Sequence, residues 1–559
     1  MLDFDEAAQL GSSRCGRSLA WFGDGMSFTD VTLPPLIRSM ANPAFYPHGP
    51  TSVKLVQTHI SYVFLVPPLV YKVKKPVRFR FLDFSTLDLR HRFCTEEVRL
   101  NRRLAPGVYH RVVGIRAAGS GYILCDDDDP RALEFAVEMA FLPDEQRLDV
   151  RLANGEVSEH DIARVARVLA QFHLAADTNA AIAAAGTPEA IETVWRDNFL
   201  DAARFRDRTL SRHDDDALQR FVRAFLETQR PLLVSRQAEG RIRDGHGDLH
   251  ADHVYLGDPV LVIDCIEFNE RLRWCDVAAD LGFLAMDLDF RGHPELRRHL
   301  ISEYLAASPD PGLVQLLPFY QCYRAYVRGK VESLKSAEAE VPSHERQIAE
   351  QSARAYFELS YRYSWAYTRA LVVFVGLSGT GKSTVARLLH QRTGFDWYRS
   401  DVVRKQLAGL SPTQDASQVP GIYSPEFSQR TYAKLFADAE LSVQQGRGVI
   451  LDATFLARKY RDQARELADR LGVPLLFIAC DCPAEVVRQR LARRQAARQD
   501  ASDADWQVYL SQREHAEPFH EAEPGRVLRL DTSEEPLVLS YSIEDALLEL
   551  VPPPGNLLP

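Results

Sequence analysis

The 559-residue chain has little lysine: only ten of its 67 basic residues are lysine and the rest are arginine. Where arginine is the default cation, a retained lysine marks a place for a compact point charge. Three lysines stand together in YKVKKP, at Lys72, Lys74 and Lys75, and another is Lys382 in GLSGTGKST. Paired cysteines are lacking as well. The eight present (15, 94, 125, 265, 275, 322, 480 and 482) have no CxxC spacing, which argues against a zinc site or disulfide framework and for reduced thiols. No apolar run approaches the ~20 residues of a membrane span. The opening MLDFDEAAQL lacks the basic and apolar parts of a signal peptide, so a cytoplasmic chain without a membrane partner is expected. Positive charge is not in excess either: the net charge of −10 disfavours general binding to nucleic acid or to anionic lipid.

What is present suits packed cores, with 46% hydrophobic and 26% charged residues. The length exceeds what one core supports, so several units are expected. Residues 1–50 read as an irregular lead-in. Between 51 and 145, strand-like runs (SYVFLV, LVYKVK, RVVGIRA, GYILCD, FAVEMAF) surround one helical stretch, DLRHRFCTEEVRLNRRLA, which predicts a small antiparallel sheet with one helix. Residues 146–340 read as mostly helical, with Ser158 as an N-cap and VLVIDCIEF as a strand. A helix across 341–366 links this to 367–551, where the apolar runs RALVVFVG, GVILDATF, PLLFIACD and RVLRLDT alternate with helices. That rhythm predicts a parallel sheet covered on both faces. The tail 552–559 is expected to fray.

GLSGTGKST matches G-x-x-x-x-G-K-[ST] with Gly376, Gly381, Lys382 and Ser383, after an apolar strand and before the helical TVARLLHQR. Glycines let the backbone N–H groups of Ser378, Gly379, Thr380 and Thr384 turn toward phosphate, and the helix N-terminus adds its positive end. Lys382 then reaches the terminal phosphates of ATP, and Ser383 ligates Mg²⁺. In YRSDVVRKQL, Asp401 and Arg404 lie three apart on one helix face, as a base and a cation for an acceptor hydroxyl; a helix N-terminal acid and an exposed arginine are the plain alternative. Asp452 ends an apolar strand within reach of the Mg²⁺ shell, or else caps the strand. Arg490, Arg493, Arg494 and Arg498 precede an acidic turn and offer a segment able to close over a nucleotide, or a solvated helix face. Over about 370–535 the chain resembles the small P-loop kinases of the polynucleotide kinase, zeta toxin and gluconate kinase kind. The resemblance implies phosphorylation of a hydroxyl, with Asp401 as base and a mobile lid around Arg493.

In HGDLHADHV, Asp248 is placed to act as base and His253 to stand where a metal ligand belongs, with His246 and His250 beside them. Asp264 in the next apolar run offers a second metal ligand. Lys72 on a strand, Glu97 on the following helix, Asp248 and then Asp264 reproduce the order of the protein-kinase-like fold. Within that fold, residues 50–335 resemble the aminoglycoside phosphotransferase family through HGDLH, VIDCIEF and CDVAADLGFLAMD, with Asp276 and Asp280. The resemblance implies ATP-dependent phosphorylation of a small-molecule hydroxyl by an α+β two-lobe domain, followed here by an α/β P-loop NTPase domain. The order of the halves resembles a group of two-domain bacterial proteins. Two departures stand out. His253 replaces the family's metal-binding Asn, and imidazole suits Mg²⁺ poorly. The nucleotide-covering loop reads VQTHISYVFL without glycine, leaving Thr58 and Ser61 as the available hydroxyls. Three readings stand: two active kinases, a degenerate binding or sensory front half beside one active kinase, or a nucleic-acid 5′-hydroxyl kinase at the back, which the acidic charge disfavours.

Overall fold

A computed structural model of the protein describes residues 33–80, 82–338, 341–416, 419–497, 501–519 and 525–551. The expected tail at 552–559, most of the expected lead-in, Cys15 and Arg498 lie outside these residues. Contacts divide the chain into two units, one of residues 1–194 and 231–324, the other of 195–230 and 325–559.

The first unit opens with an antiparallel sheet in the order Lys54–Gln57, Ser61–Val66, Leu69–Lys74, Glu134–Ala140, Tyr109–Ala118, Gly121–Cys125. Alternation along these strands sends side chains to two cores. Phe64, Tyr71, Val73 and Ile115 fill one. Val63, Val70 and Val137 fill the other, against Cys94 and Val98 of the helix Leu87–Asn101. Lys72 lies opposite Val63 and Val137 in the ladder, so it shares the helix-facing side, and Lys74, two residues on, does too. The helix begins where the Thr86 hydroxyl accepts a hydrogen bond from the Leu89 N–H. A capping box of Ser158 and Asp161 starts the helix Glu159–Ala175, at the predicted N-cap.

VLVIDCIEF does not form the continuous strand that its apolar run predicts. Only Leu261–Val262 pairs, with Val254–Tyr255, and the chain turns at Asp264, whose φ is 64°. The following amides bond elsewhere: Cys265 N–H to the Asn101 side chain and Ile266 N–H to the His246 carbonyl. Those partners replace a ladder, so apolar character here reflects burial rather than strand pairing.

The second unit holds a five-stranded parallel sheet in the order Asp396–Arg399, Val449–Asp452, Leu371–Val375, Leu475–Asp481, Arg526–Asp531. The phosphate-loop strand Leu371–Val375 is central and wholly buried, as a parallel strand covered on both faces must be. Arg392, near the end of the helix Lys382–Thr393, donates to Asp214 at 2.6 Å and to Glu544 at 2.6 and 2.9 Å. Tyr361 also donates to Glu544, at 2.9 Å, and His213 stacks on Tyr541 with centroids 4.0 Å apart. Through these contacts the helices Arg212–Thr228 and Ser343–Ser364 pack with the P-loop fold. No helix among the described residues is long and apolar enough to cross a membrane.

Candidate active sites

In the second unit the phosphate loop is shaped by three glycines with left-handed backbone, Gly376, Gly379 and Gly381, at φ 150°, 82° and 87°. A side chain at Gly376 would meet the Cys480 carbonyl at 2.5 Å, and one at Gly379 would meet Leu491 and Val487 at 2.9 Å. Both conformation and space therefore require glycine. Gly381 immediately precedes the helix, so the turn ends on the helix N-terminus that favours an anion. Lys382 is buried and donates to the Leu377 carbonyl at 2.8 Å. Burial lowers its pKa, against the pull of Asp452.

Asp452 ends its strand beside Phe374 and is 4% exposed. Burial raises its pKa, opposed by Lys382, by a hydrogen bond from Ser383 and by Arg399, whose Nε lies 3.7 Å from Oδ2. Among the described residues no hydrogen-bond partner reaches Asp452 Oδ2. A buried carboxylate oxygen beside a hydroxyl is a hard oxygen set of the kind Mg²⁺ takes, so Ser383 and Asp452 fit that ion. Asp401, at the start of the helix Ser400–Leu407, is close enough to act electrostatically on both Lys382 and Asp452. The structure therefore brings Lys382, Ser383, Asp401 and Asp452 together.

Arg404 is used differently. It is buried, donates to the Ile422 carbonyl at 2.8 Å and to Ser428 Oγ at 3.2 Å, and lies over the Tyr423 ring. Its neighbour Lys405 pairs with Asp503 at 3.0 Å, and Asp503 also accepts from Tyr423 OH at 2.8 Å. These bonds tie the segment after the helix Ala484–Ala497 to the loop before Ser424. Arg493 is exposed on that helix, whereas Arg490 reaches the phosphate loop through Thr532: its Nη2 donates to the Thr532 carbonyl at 2.6 Å and Thr532 Oγ1 donates to the Thr380 carbonyl. A further contact had no sequence signal: the Ser378 N–H, a phosphate-directed donor, is bonded to Gln512 Oε1 at 2.8 Å.

The first unit builds its site from charge. Lys72 Nζ lies 2.8 Å from Glu97 Oε1 and 2.6 Å from Asp264 Oδ1, which realises the expected order of lysine, glutamate and aspartate. Lys74, 1% exposed, lies 2.7 Å from the other Glu97 oxygen and pairs with Glu267. Lysines two apart on one strand share a face, and that alternation was the available signal for Lys74. Burial works to raise the pKa of Glu97 and Asp264, but Lys72 outweighs it at both, joined by Lys74 at Glu97 and by His253 at Asp264, and both carboxyls are held low. At Glu267 burial prevails and the pKa rises. Two cations and three carboxylates thus compensate one another out of water.

The loop bearing Asp248 hangs from the helix Val277–Phe290. Asp280 accepts from His246 N–H at 2.5 Å and Gly247 N–H at 2.9 Å, and Asp287 accepts from Ala251 N–H at 2.9 Å. Asp276 caps that helix at the Ala278 N–H and pairs with Arg236. Asp276 and Asp280 are therefore scaffold. Asp248 is 30% exposed, open enough for a substrate, with His250 Nε2 at 3.5 Å. His253 Nδ1 is 2.8 Å from the Asp248 carbonyl, and Nε2 is 3.7 Å from Asp264 Oδ2. Burial, then His250, keeps the His253 pKa below its usual value. The hydroxyls offered in place of glycine are used locally: half-buried Thr58 accepts through Oγ1 from Ser61 N–H at 2.9 Å, and Ser61 is fully buried.

A profile described as "Phosphotransferase enzyme family" matches residues 68–317, and one described as "AAA domain" matches 371–519. An uncharacterized protein of Mycobacterium tuberculosis is 31% identical over 450 residues, spanning 80% of this chain and 87% of that one. A gluconokinase of Gluconobacter oxydans is 31% identical over 129 residues, 22% of this chain and 65% of that one. Among solved structures, a Janibacter sugar kinase aligns at 24% identity and a TM-score of 0.26, covering 33% of this chain and 95% of that chain.

Proposed function

Because the chain belongs to the same two-domain family as the mycobacterial protein, with a phosphotransferase domain in front and a P-loop kinase domain behind, we propose that it is an ATP-dependent phosphotransferase with two working sites. Each transfers the γ-phosphoryl group to a hydroxyl of a small-molecule acceptor. The observation that carries this is the glycine-built loop with Lys382, Ser383, Asp401 and Asp452 gathered at its mouth. Lys382 swings from the Leu377 carbonyl to the terminal phosphates, and Asp401 takes the acceptor's proton. Mg²⁺, held by Ser383 and Asp452, would supply neutralising charge on the phosphates. Arg404 shapes the acceptor side by fixing the loop at Ile422. The gluconokinase likeness of the back half favours a hydroxyl-rich acceptor there.

In the front half, Lys72 serves the nucleotide phosphates and Asp248 the acceptor hydroxyl. The Thr58 hydroxyl, occupied by the amides of its own turn, favours a second reading, in which this half binds nucleotide or ligand without turnover. One experiment separates the readings. The full-length chain, Asp248→Asn and Lys382→Ala are incubated with ATP and a metabolite mixture, and products gaining one phosphoryl mass are counted. Two sites give two product sets, each lost in one variant. If Asp248→Asn loses nothing, the front half is a binding module. If Lys382→Ala loses nothing, the back-site reading fails, and phosphate gained by a labelled oligonucleotide would mark a nucleic-acid acceptor.

A further inference from the structure

The family's metal position in the front half does not fit Mg²⁺. His253 stands where a side-chain oxygen is expected, and Mg²⁺ prefers oxygen and near-ideal octahedral geometry. The arrangement around it is nevertheless that of a metal ligand of another kind. A backbone carbonyl can only accept, so the 2.8 Å contact with the Asp248 carbonyl puts the proton on His253 Nδ1. Nε2 then carries the lone pair, and it faces Asp264 Oδ2 at 3.7 Å. A ring nitrogen held in register by its partner's hydrogen bond to a carbonyl is how ligating histidines are oriented. Asp264 divides its two oxygens: Oδ1 belongs to Lys72 at 2.6 Å, and Oδ2 turns to His253. The lysine need not leave for a metal to arrive. The His250 ring lies tilted at 40° beside His253 with centroids 4.0 Å apart, and Asp248, His250 and His253 offer ligand atoms within 4.8 Å of one another.

We propose that the front half holds a first-row transition-metal dication of the Zn²⁺ or Co²⁺ kind, with His253 Nε2 and Asp264 Oδ2 as its protein ligands and Asp248 and His250 beside them, in place of Mg²⁺. Imidazole nitrogen mixed with carboxylate suits such ions, and their affinity for nitrogen exceeds that of the alkaline earths. The back half keeps an oxygen-only set in Ser383 and Asp452. One chain thus asks for two different metals.

This deepens the reading of the front half as a phosphotransferase, but its test reads binding without turnover, so either can fail alone. Co²⁺ is titrated into the full-length protein without nucleotide, with visible d–d absorption as the signal, and Zn²⁺ affinity is measured by competition with a chromophoric chelator. The expected result is one tight site with an intense nitrogen-ligand band. In His253→Asn the band is lost and Zn²⁺ affinity drops by about 10–100-fold or more, the scale on which even outer-shell changes act. Thermal melts check that the variant folds. Pulsed EPR of the Cu²⁺-loaded wild-type chain provides a reading that needs no variant: imidazole nitrogen coupling is expected, and Asp264→Asn should weaken binding on the same scale. Unchanged Zn²⁺ affinity in a folded His253→Asn, or absence of nitrogen coupling in the wild type, overturns the proposal.

Discussion

The two halves hold the lysine proposed to meet phosphate by opposite means. In the P-loop unit Lys382 rests on a carbonyl of its own loop, and the shape around it comes from left-handed glycines and sheet register. In the front unit Lys72 is one member of a buried lattice with Lys74, Glu97, Asp264 and Glu267. A backbone-built site loosens the link between function and stability, since its lysine rests on a carbonyl and offsets chiefly one buried carboxylate, Asp452, rather than joining a lattice. A charge-built site joins them, because every member compensates another out of water. In the back half the same contrast leaves Gly376 and Gly379 without substitutes, since conformation and space both demand glycine there.

The contrast is broken most directly at Lys74. Replacing it by Met strands Glu97 and Glu267 with one lysine between them, and the front unit should lose about 3–5 kcal/mol, the cost of breaking a buried pair. Lys382→Ala should cost less, about 1–3 kcal/mol, because it removes one hydrogen bond to a carbonyl and the cation beside one carboxylate, Asp452. Urea unfolding of the full chain, followed by front- and back-unit probes, compares them; equal losses would erase the distinction drawn here.

Activity should show the reverse pattern. Asp248→Asn removes the proposed front base and is expected to slow front-half transfer by about 10²–10⁴-fold, the usual worth of a positioned base. Lys382→Ala should slow back-half transfer by about 10²–10³-fold, as loss of one preorganised charge does. Neither should alter the other half's rate. Single-turnover assays with each product followed separately decide it, and a loss shared by both products would mean one active site rather than two.

How far these sites were legible follows from their construction. Glycine spacing and strand ends are local, so the turn of the glycine-rich loop and the meeting of Lys72 with Glu97 and Asp264 could be read directly. Lys74 was readable from strand alternation but masked by the lysine run around it. What escaped is held by contacts across long stretches of chain. The tie between Asp503 and Lys405 spans 98 residues, and that between Gln512 and Ser378 spans 134, with no spacing to betray either. VLVIDCIEF misled for another reason: hydrophobicity reports burial, and a buried loop can satisfy its amides from Asn101 and the His246 carbonyl as well as from a ladder.

The smallest expected effect tests whether the backbone-built site is as open as its glycines suggest. The Ser378 N–H belongs to the phosphate cradle, yet Gln512 Oε1 accepts its hydrogen bond at 2.8 Å. Gln512 lies on the helix Trp506–His515, whose Tyr509 packs with Val487 and Leu491, the residues that press on Gly379. A carboxamide oxygen is a weaker acceptor for this donor than a phosphate, so nucleotide displaces it at the cost of one neutral hydrogen bond, about 0.5–1.5 kcal/mol. Gln512→Ala removes the competitor while Tyr509 keeps the helix seated, and binding of a non-hydrolysable ATP analogue should tighten by about two- to tenfold in calorimetry. Weaker binding would reverse the assignment, making Gln512 a partner of the nucleotide rather than a stand-in for its phosphate.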